Sequence, residues 1–169
     1  KIPSLADGDA VIESVTVDEG DRVQDVNGDV VALVKDVVVF NSANEAVIFD
    51  GTPVEMSQMV VDFFLKPMIW SDGTPVTAQD SIFSYQLASD PQTSANKERI
   101  AATAAYEAID EHNVRWTGVP GYMDQTYFLN IWQPLPYHQL SNMTYEELES
   151  AQETTRMPLS SGPFVVAEW

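Results

Sequence analysis

The chain has no cysteine among its 169 residues. That excludes disulfides, thiolate metal sites and a cysteine nucleophile. Cations are scarce: 8 Lys and Arg stand against 26 Asp and Glu, for a net charge of −18. A surface of that sign repels nucleic-acid phosphates and anionic lipid, which removes both from the expected partners. Only two histidines are present, and no His-x-x-x-His pair or comparable ligand spacing surrounds either of them. No apolar run approaches the roughly 20 residues of a helical membrane span. No Gly-x-Ser-x-Gly elbow occurs, and Gly118-Val119-Pro120-Gly121 lacks the Lys-Ser/Thr that would follow in a phosphate loop.

What is present describes a globular chain. Hydrophobic residues make up 44%, enough for a packed core and too many for a disordered segment. The length suits one domain. The chain opens on Lys1-Ile2-Pro3-Ser4 without an initiator Met or a signal-peptide pattern, and it closes on Phe164 to Trp169. It reads as an excised piece of a longer protein.

Residues 11 to 61 have the marks of β structure. Val11 to Val17 alternates apolar positions. Arg22 to Val26 and Asp29 to Leu33 flank Asn27-Gly28, the strongest short hairpin signal. Val37 to Phe40 and Ala46 to Phe49 form a second pair of apolar runs, and Met59 to Leu65 another. Helices are expected at Ala78 to Ala88 and at Tyr145 to Thr154, where Glu146, Glu147 and Glu149 suit the positive end of a helix dipole. Ala95 to Ala105 has Ala-rich, helical composition, and its form is left open. Tyr122 to Trp132 fits a short helix, with Met123, Tyr127 and Ile131 four apart, and Pro134 and Pro136 end it. Arg115 to Thr117 is a further strand. Strands first and helices later predict an α+β fold: a mixed, largely antiparallel sheet region with a few packed helices.

Several groups invite chemistry. Asp25-Val26-Asn27-Gly28-Asp29 is oxygen-rich, but its Gly falls fourth and no Glu stands at twelve, so a hairpin explains it better than a calcium loop. His112 sits in a polar turn and reads as a surface residue. His138 reads as a buried or interface residue, and no metal is expected. Adjacent acids such as Asp110 and Glu111 point in different directions, which disfavours glycosidase work. Asn142-Met143-Thr144 is a glycosylation sequon by pattern alone. The aromatics Trp116, Tyr122, Tyr127, Phe128, Trp132 and Tyr137 are dense. Amphipathic rings in or beside loop-like segments can line a cleft, which makes Tyr122, Trp132 and Tyr137 the candidate ligand contacts.

The most specific stretch runs from Asp62 to Asp90. Phe63, Phe64 and Leu65 are strand-like. Trp70-Ser71-Asp72-Gly73-Thr74-Pro75 carries dense turn chemistry. Thr77 and Asp80 stand as N-cap and N3 of a capping box. Phe83 and Leu87 then share one helical face. A strand ending in Leu-Lys, then Trp-Ser-Asp-Gly-Thr-Pro-Val-Thr-Ala-x-Asp, then an aromatic helix, resembles the family 5 extracellular solute-binding proteins. Further matches follow in order: Asp90-Pro91, Tyr106 to Asp110 with Val114-Arg115-Trp116, Leu135-Pro136-Tyr137-His138, and Ser161-Gly162-Pro163-Phe164 through Glu168-Trp169. Met68 and Ser161 depart from the pattern, where Gly and Thr are common. The resemblance spans roughly residues 54 to 169.

The resemblance implies a fragment of a receptor of the type II periplasmic-binding-protein kind. Residues 1–58 would be a β-rich part, 59–160 the small extra domain of such a receptor, and 161–169 a strand returning to the main lobe. The family implies a peptide, oligopeptide or similar small solute as ligand, ABC permease subunits as partners, an extracytoplasmic location, a lipoprotein or secreted parent, no cofactor and no enzymatic activity. Two other readings stand beside it: a hydrolase domain using His138 with an acidic partner, and a stand-alone acidic interaction domain.

Overall fold

A computed structural model describes residues 1–168. Two compact units share the chain, and neither is a continuous stretch. The first is built from Lys1–Phe63, Lys97–Tyr106 and Arg115–Asn130; the second from Phe64–Asn96, Glu107–Val114 and the chain from Ile131 on. The fold is mixed α+β with antiparallel pairing. A four-stranded sheet has the order β1-β6-β8-β7, with β1 Ala10–Val17, β6 Val54–Phe64, β7 Thr103–Ala108 and β8 Asn113–Gly118. Two hairpins stand apart from it: β2 Arg22–Gln24 with β3 Val30–Ala32, and β4 Val38–Phe40 with β5 Ala46–Ile48.

The hairpins follow from their turns. In the first, Gly28 takes φ +92, which a side chain would resist. Asp25 N donates to Asp29 O at 2.9 Å to close the loop. In the second, Asn44 adopts φ +61, and Asn41 Oδ1 accepts the N–H groups of Ala43 and Glu45 at 3.0 and 2.9 Å. Each hairpin turns its apolar residues to one cluster. Val17, Val23, Leu33, Val39, Phe49 and Met56 are buried there together.

Strand β6 begins at Val54, well before the Met59 that the apolar run suggested. Polar residues hide its first half. Glu55 accepts hydrogen bonds from Ser14 Oγ at 2.8 Å and from Thr16 Oγ1, both on β1, so this part of the strand is held by polar pairs across the ladder. The register runs Ala10↔Val61 to Val17↔Val54.

The Ala-rich stretch splits. Helix α2 covers only Lys97–Ala101, and β7 starts at Thr103. The tertiary fit overrides helix propensity there. Thr103 is buried, and its hydroxyl accepts Trp116 Nε1–H at 2.9 Å. Val119 N donates to Ala102 O at 2.9 Å. The expected helix at Tyr122 to Trp132 shrinks to a single 3-10 turn at Tyr127–Leu129. Asp124 takes the N–H and hydroxyl of Thr126, both at 2.7 Å, and Asn130 Nδ2–H at 2.9 Å, a local alternative to helical bonding.

In the second unit, helix α1 spans Ala78–Ser89, and α3 is a short turn at Tyr137–Leu140. The expected helix from Tyr145 divides into α4 Tyr145–Ser150 and α5 Gln152–Thr155, because Ala151 between them is extended, with ψ 145. Phe83, Leu140 and Leu148 form the buried cluster, flanked by Leu87 and Met143. Residues 161–168 carry no strand ladder, and Phe164 and Val165 are exposed. The last residue of the Glu-Trp pair, Trp169, lies outside the described residues.

The bend after β8 tolerates little. Gly121 has φ +89, and a Cβ added there would stand 2.9 Å from both Gln24 O and Met56 Cε. One of those atoms is backbone. Gly121→Ala is therefore expected to destabilise the fold by about 2 kcal/mol, from left-handed strain plus overpacking. Thermal unfolding checks this; an unchanged melting temperature would show that the bend can shift without loss.

Candidate binding site

The tight turn of the second unit is organised around one buried carboxylate. Chain from Trp70 to Pro75 doubles back tightly: Trp70 N donates to Thr74 O at 2.7 Å, Gly73 N to Trp70 O at 2.9 Å, and Ile69 bridges Pro75. Helix α1 starts directly after it, with Thr77 as N-cap and Asp80 at N3. Asp80 is 3% exposed. Its Oδ2 accepts Thr77 N–H at 2.8 Å and Trp70 Nε1–H at 3.3 Å. Its Oδ1 accepts Tyr137 N–H at 2.9 Å. Its backbone carbonyl accepts Leu135 N–H at 3.1 Å. The expected capping residue thus also fixes Trp70, itself buried, and the Pro134 to Tyr137 segment.

Trp132 and Tyr137 both lie beside α1. Trp132 is 7% exposed. Its carbonyl accepts Ser81 Oγ–H at 2.5 Å, and its ring meets Tyr85 edge-on at 4.7 Å. Tyr137 is 40% exposed, with its ring edge-on to Phe83 at 5.6 Å. Tyr122 belongs to the first unit, half-buried, 6.3 Å from Trp116 between ring centroids. Burial, with Asp124 nearby, pushes its hydroxyl pKa up and keeps the phenol neutral. The second unit therefore brings two of the three candidates to one helix.

The first unit carries its own groove, of about 380 Å³, lined by Val15, Thr16, Arg22, Gln58, Val119 and Pro120 among others. Its polar groups are partly engaged. Arg22 donates to Ala101 O, and Gln58 Nε2–H donates to Gly118 O at 2.9 Å. No sequence signal singled out Arg22 or Gln58. Each is one polar residue on a strand, distinguished only by what the fold sets beside it.

The two histidines differ from expectation. His138 is exposed rather than buried, and its Nε2 lies 2.7 Å from Asp72 Oδ2, linking α3 to the turn. His112 is half-buried rather than on the surface, because its carbonyl accepts Leu65 N–H at 2.8 Å and draws the residue against that strand end. Asp25 Oδ1 and Oδ2 accept three N–H groups from Asn27 and Asp29, as a hairpin turn requires. Among the described residues, no group of three or more His, Cys, Asp and Glu is placed to hold a metal ion. No helix among them is long and apolar enough to cross a membrane.

Two expectations follow. Removing the Asp80 carboxylate leaves three donors unmatched, the Trp70 indole buried and the Thr77 and Tyr137 N–H groups part-buried. Asp80→Ala should cost about 3 kcal/mol, whereas Thr77→Ala should cost about 1 kcal/mol as an ordinary cap loss. Denaturant titration of both variants tests the order; equal effects would remove Asp80 from its central place. The second concerns pH. The Thr74 N–H, and after it His138, hold the Asp72 carboxyl below the usual carboxylate range. A depressed pKa stabilises the fold above the unfolded value, near pH 4, and that contribution disappears as pH falls through the folded value. Asp72→Asn should therefore lower the melting temperature at neutral pH and lose its effect in acid. A difference that persists unchanged to strongly acidic pH would contradict this.

Comparison with known proteins gives a consistent picture. Residues 54–169 match the family model for bacterial extracellular solute-binding proteins, family 5, middle region. The chain is 36% identical over 77 residues to the periplasmic oligopeptide-binding protein OppA of Escherichia coli, a match covering 43% of this chain and 14% of that protein. It is 32% identical over 111 residues to a Brucella melitensis protein described as a binding protein, covering 63% of this chain and 17% of that one. Among solved structures, the oligopeptide-binding protein AppA of Bacillus subtilis, in complex with a nonapeptide, shares the fold with a TM-score of 0.54 and 19% identity. That superposition covers 90% of this chain and 28% of the other. These matches take in less than a third of each relative's length.

Proposed function

Because this chain belongs to the family 5 bacterial extracellular solute-binding proteins, we propose that it is part of the solute-receiving subunit of an ABC importer. It contributes one wall of a ligand site that the rest of that protein completes. The observation that carries this reading is the match of residues 54–169 to the family model, on a fold shared with peptide-binding receptors. The ligand is a peptide or a similar small solute, as the names of the E. coli and B. subtilis relatives suggest. Its partners are the membrane permease subunits, and its place is outside the cytoplasm. The relatives are described as binding proteins, which weighs against a hydrolase built on His138.

On this reading residues 59–160 act as the small extra domain of the receptor, and residues 161–169 return toward its main lobe. The exposed Phe164 and Val165 are apolar groups suited to such a return. Tyr122 and Tyr137 present part of a flat ring and a hydroxyl to solute. Trp132, packed against Tyr85, contributes mainly by holding the Pro134 to Tyr137 segment in place.

A closed cleft buries most of a small ligand, and affinity depends on that enclosure. One wall keeps a fraction of the contacts and still bears the loss of ligand freedom. The 169-residue chain alone should therefore bind peptides no better than about millimolar, and the complete receptor at about micromolar or tighter. Tyr122→Ala and Tyr137→Ala in the complete receptor should each weaken binding by about tenfold, as loss of an aromatic contact does. Calorimetry with a peptide library tests both. Tight binding to the short chain would mean that its site is complete, and the one-wall reading would fall.

A further inference from the structure

The Asn27-Gly28 turn has a chemical property that its role as a hairpin does not use. An Asn followed by Gly is prone to lose its carboxamide, because Gly offers little steric hindrance to attack by its own backbone nitrogen. Deprotonated Gly28 N attacks Asn27 Cγ. The N–Cγ bond forms, the Cγ–Nδ2 bond breaks, and ammonia leaves with the proton it takes from water. Water then opens the cyclic imide at either carbonyl, leaving aspartate or isoaspartate at position 27.

Asn27 is exposed, so water and base reach it freely. Every group the reaction must move is nevertheless held. Gly28 N, the attacking atom, donates to Asp25 O at 3.1 Å. Asn27 Nδ2, the leaving nitrogen, donates to Asp25 Oδ2 at 2.9 Å. Asn27 N donates to Asp25 Oδ1 at 2.8 Å, and Asp29 N to the same oxygen at 2.9 Å. The carboxamide must rotate off Asp25, and Gly28 N must leave its carbonyl, before the two can meet. The negative carboxylate also disfavours the anionic nitrogen that attack requires.

We propose that Asn27 is a latent deamidation site that Asp25 holds closed, so that its ageing reports the opening of the β2–β3 hairpin. The hydrogen bonds from the Asn27 carboxamide, then from Asp29 N–H, keep the Asp25 carboxyl below its usual pKa. It is therefore ionised throughout the neutral and alkaline range in which base removes the Gly28 proton. Once formed, the product places a second carboxylate beside Asp25 and removes the Nδ2 donor. The turn then loses a hydrogen bond and gains a repulsion, so a modified hairpin opens more readily than the original.

The test follows the protein in mildly alkaline buffer by peptide mapping and mass spectrometry, scoring aspartate and isoaspartate at position 27. The native chain should react at least about tenfold more slowly than the same chain in urea, because reaction requires local opening. Asp25→Ala, shown to be folded by circular dichroism, should raise the native rate several-fold toward the unfolded one, the Gly28 N–H bond to the backbone carbonyl of residue 25 alone remaining. Should that variant fail to fold, the isosteric Asp25→Asn serves in its place and should accelerate the reaction in the same direction. Equal native and unfolded rates in the unsubstituted chain would overturn the proposal. So would a folded Asp25 variant that reacts as slowly as the original.

Discussion

The second unit depends on one carboxylate placed where carboxylates are rarely found. Asp80 is almost fully buried, yet it is matched by the N–H groups of Thr77 and Tyr137 and the indole of Trp70. A buried charge is tolerated when such donors replace water. Here the donors come from three separate places: the tight turn, the helix start and the segment after Trp132. The same residue therefore closes a helix end, anchors a tryptophan and sets where Tyr137 stands. Apolar packing of Phe83, Leu140 and Leu148 gives this unit its core, but it leaves many orientations open. The carboxylate selects one, because hydrogen bonds are directional and hydrophobic contacts are not.

The first unit solves a different problem. Its core is drawn from short hairpins that could not stand alone. They are fastened where chain passes close to chain: Gln24 N on Pro120 O and Gly121 N on Ser57 O, both at 2.8 Å. Trp116 fills the space beneath Gly118, where an added Cβ would meet its ring at 2.8 Å. The glycine and the tryptophan are thus one fitted pair. The hydroxyl of Thr103 completes it by accepting the indole N–H.

Features written in neighbouring residues were legible in the sequence. The Asn27-Gly28 hairpin, the capped helix at Ala78 and the turn at Asp72-Gly73 each carry their cause within a few positions. The family resemblance was legible for the same reason, since its motifs are local. Features decided by distant partners were not. The first half of β6 was hidden because Glu55 finds Ser14 and Thr16 only after β1 is in register. Only the end of the Ala-rich stretch, from Thr103, became a strand, where Thr103 meets the Trp116 indole. Asp80 was visible as a cap but not as the partner of Tyr137, 57 positions away. Of the candidate contacts, Tyr137 is exposed, while the burial of Trp132 reflects Tyr85 and Ser81, which nothing in its own neighbourhood announced.

The division of the chain into interleaved segments has a consequence for its birth on the ribosome. The first unit takes residues from both ends of a span that runs to Asn130, and the second begins at Phe64, before the first is finished. As the polypeptide emerges, Lys1–Phe63 can pair β1 with β6 and close both hairpins, but Trp116, Val119 and Gly121 are still to come. The early core waits, partly uncovered, while the segment 64–96 of its neighbour is being made. Synthesis order and assembly order therefore conflict, and non-local closure of this kind is slow. A pause, a truncation or a cut between those segments leaves both units unfinished at once, with the edge of β6 that β8 covers open to the wrong partners.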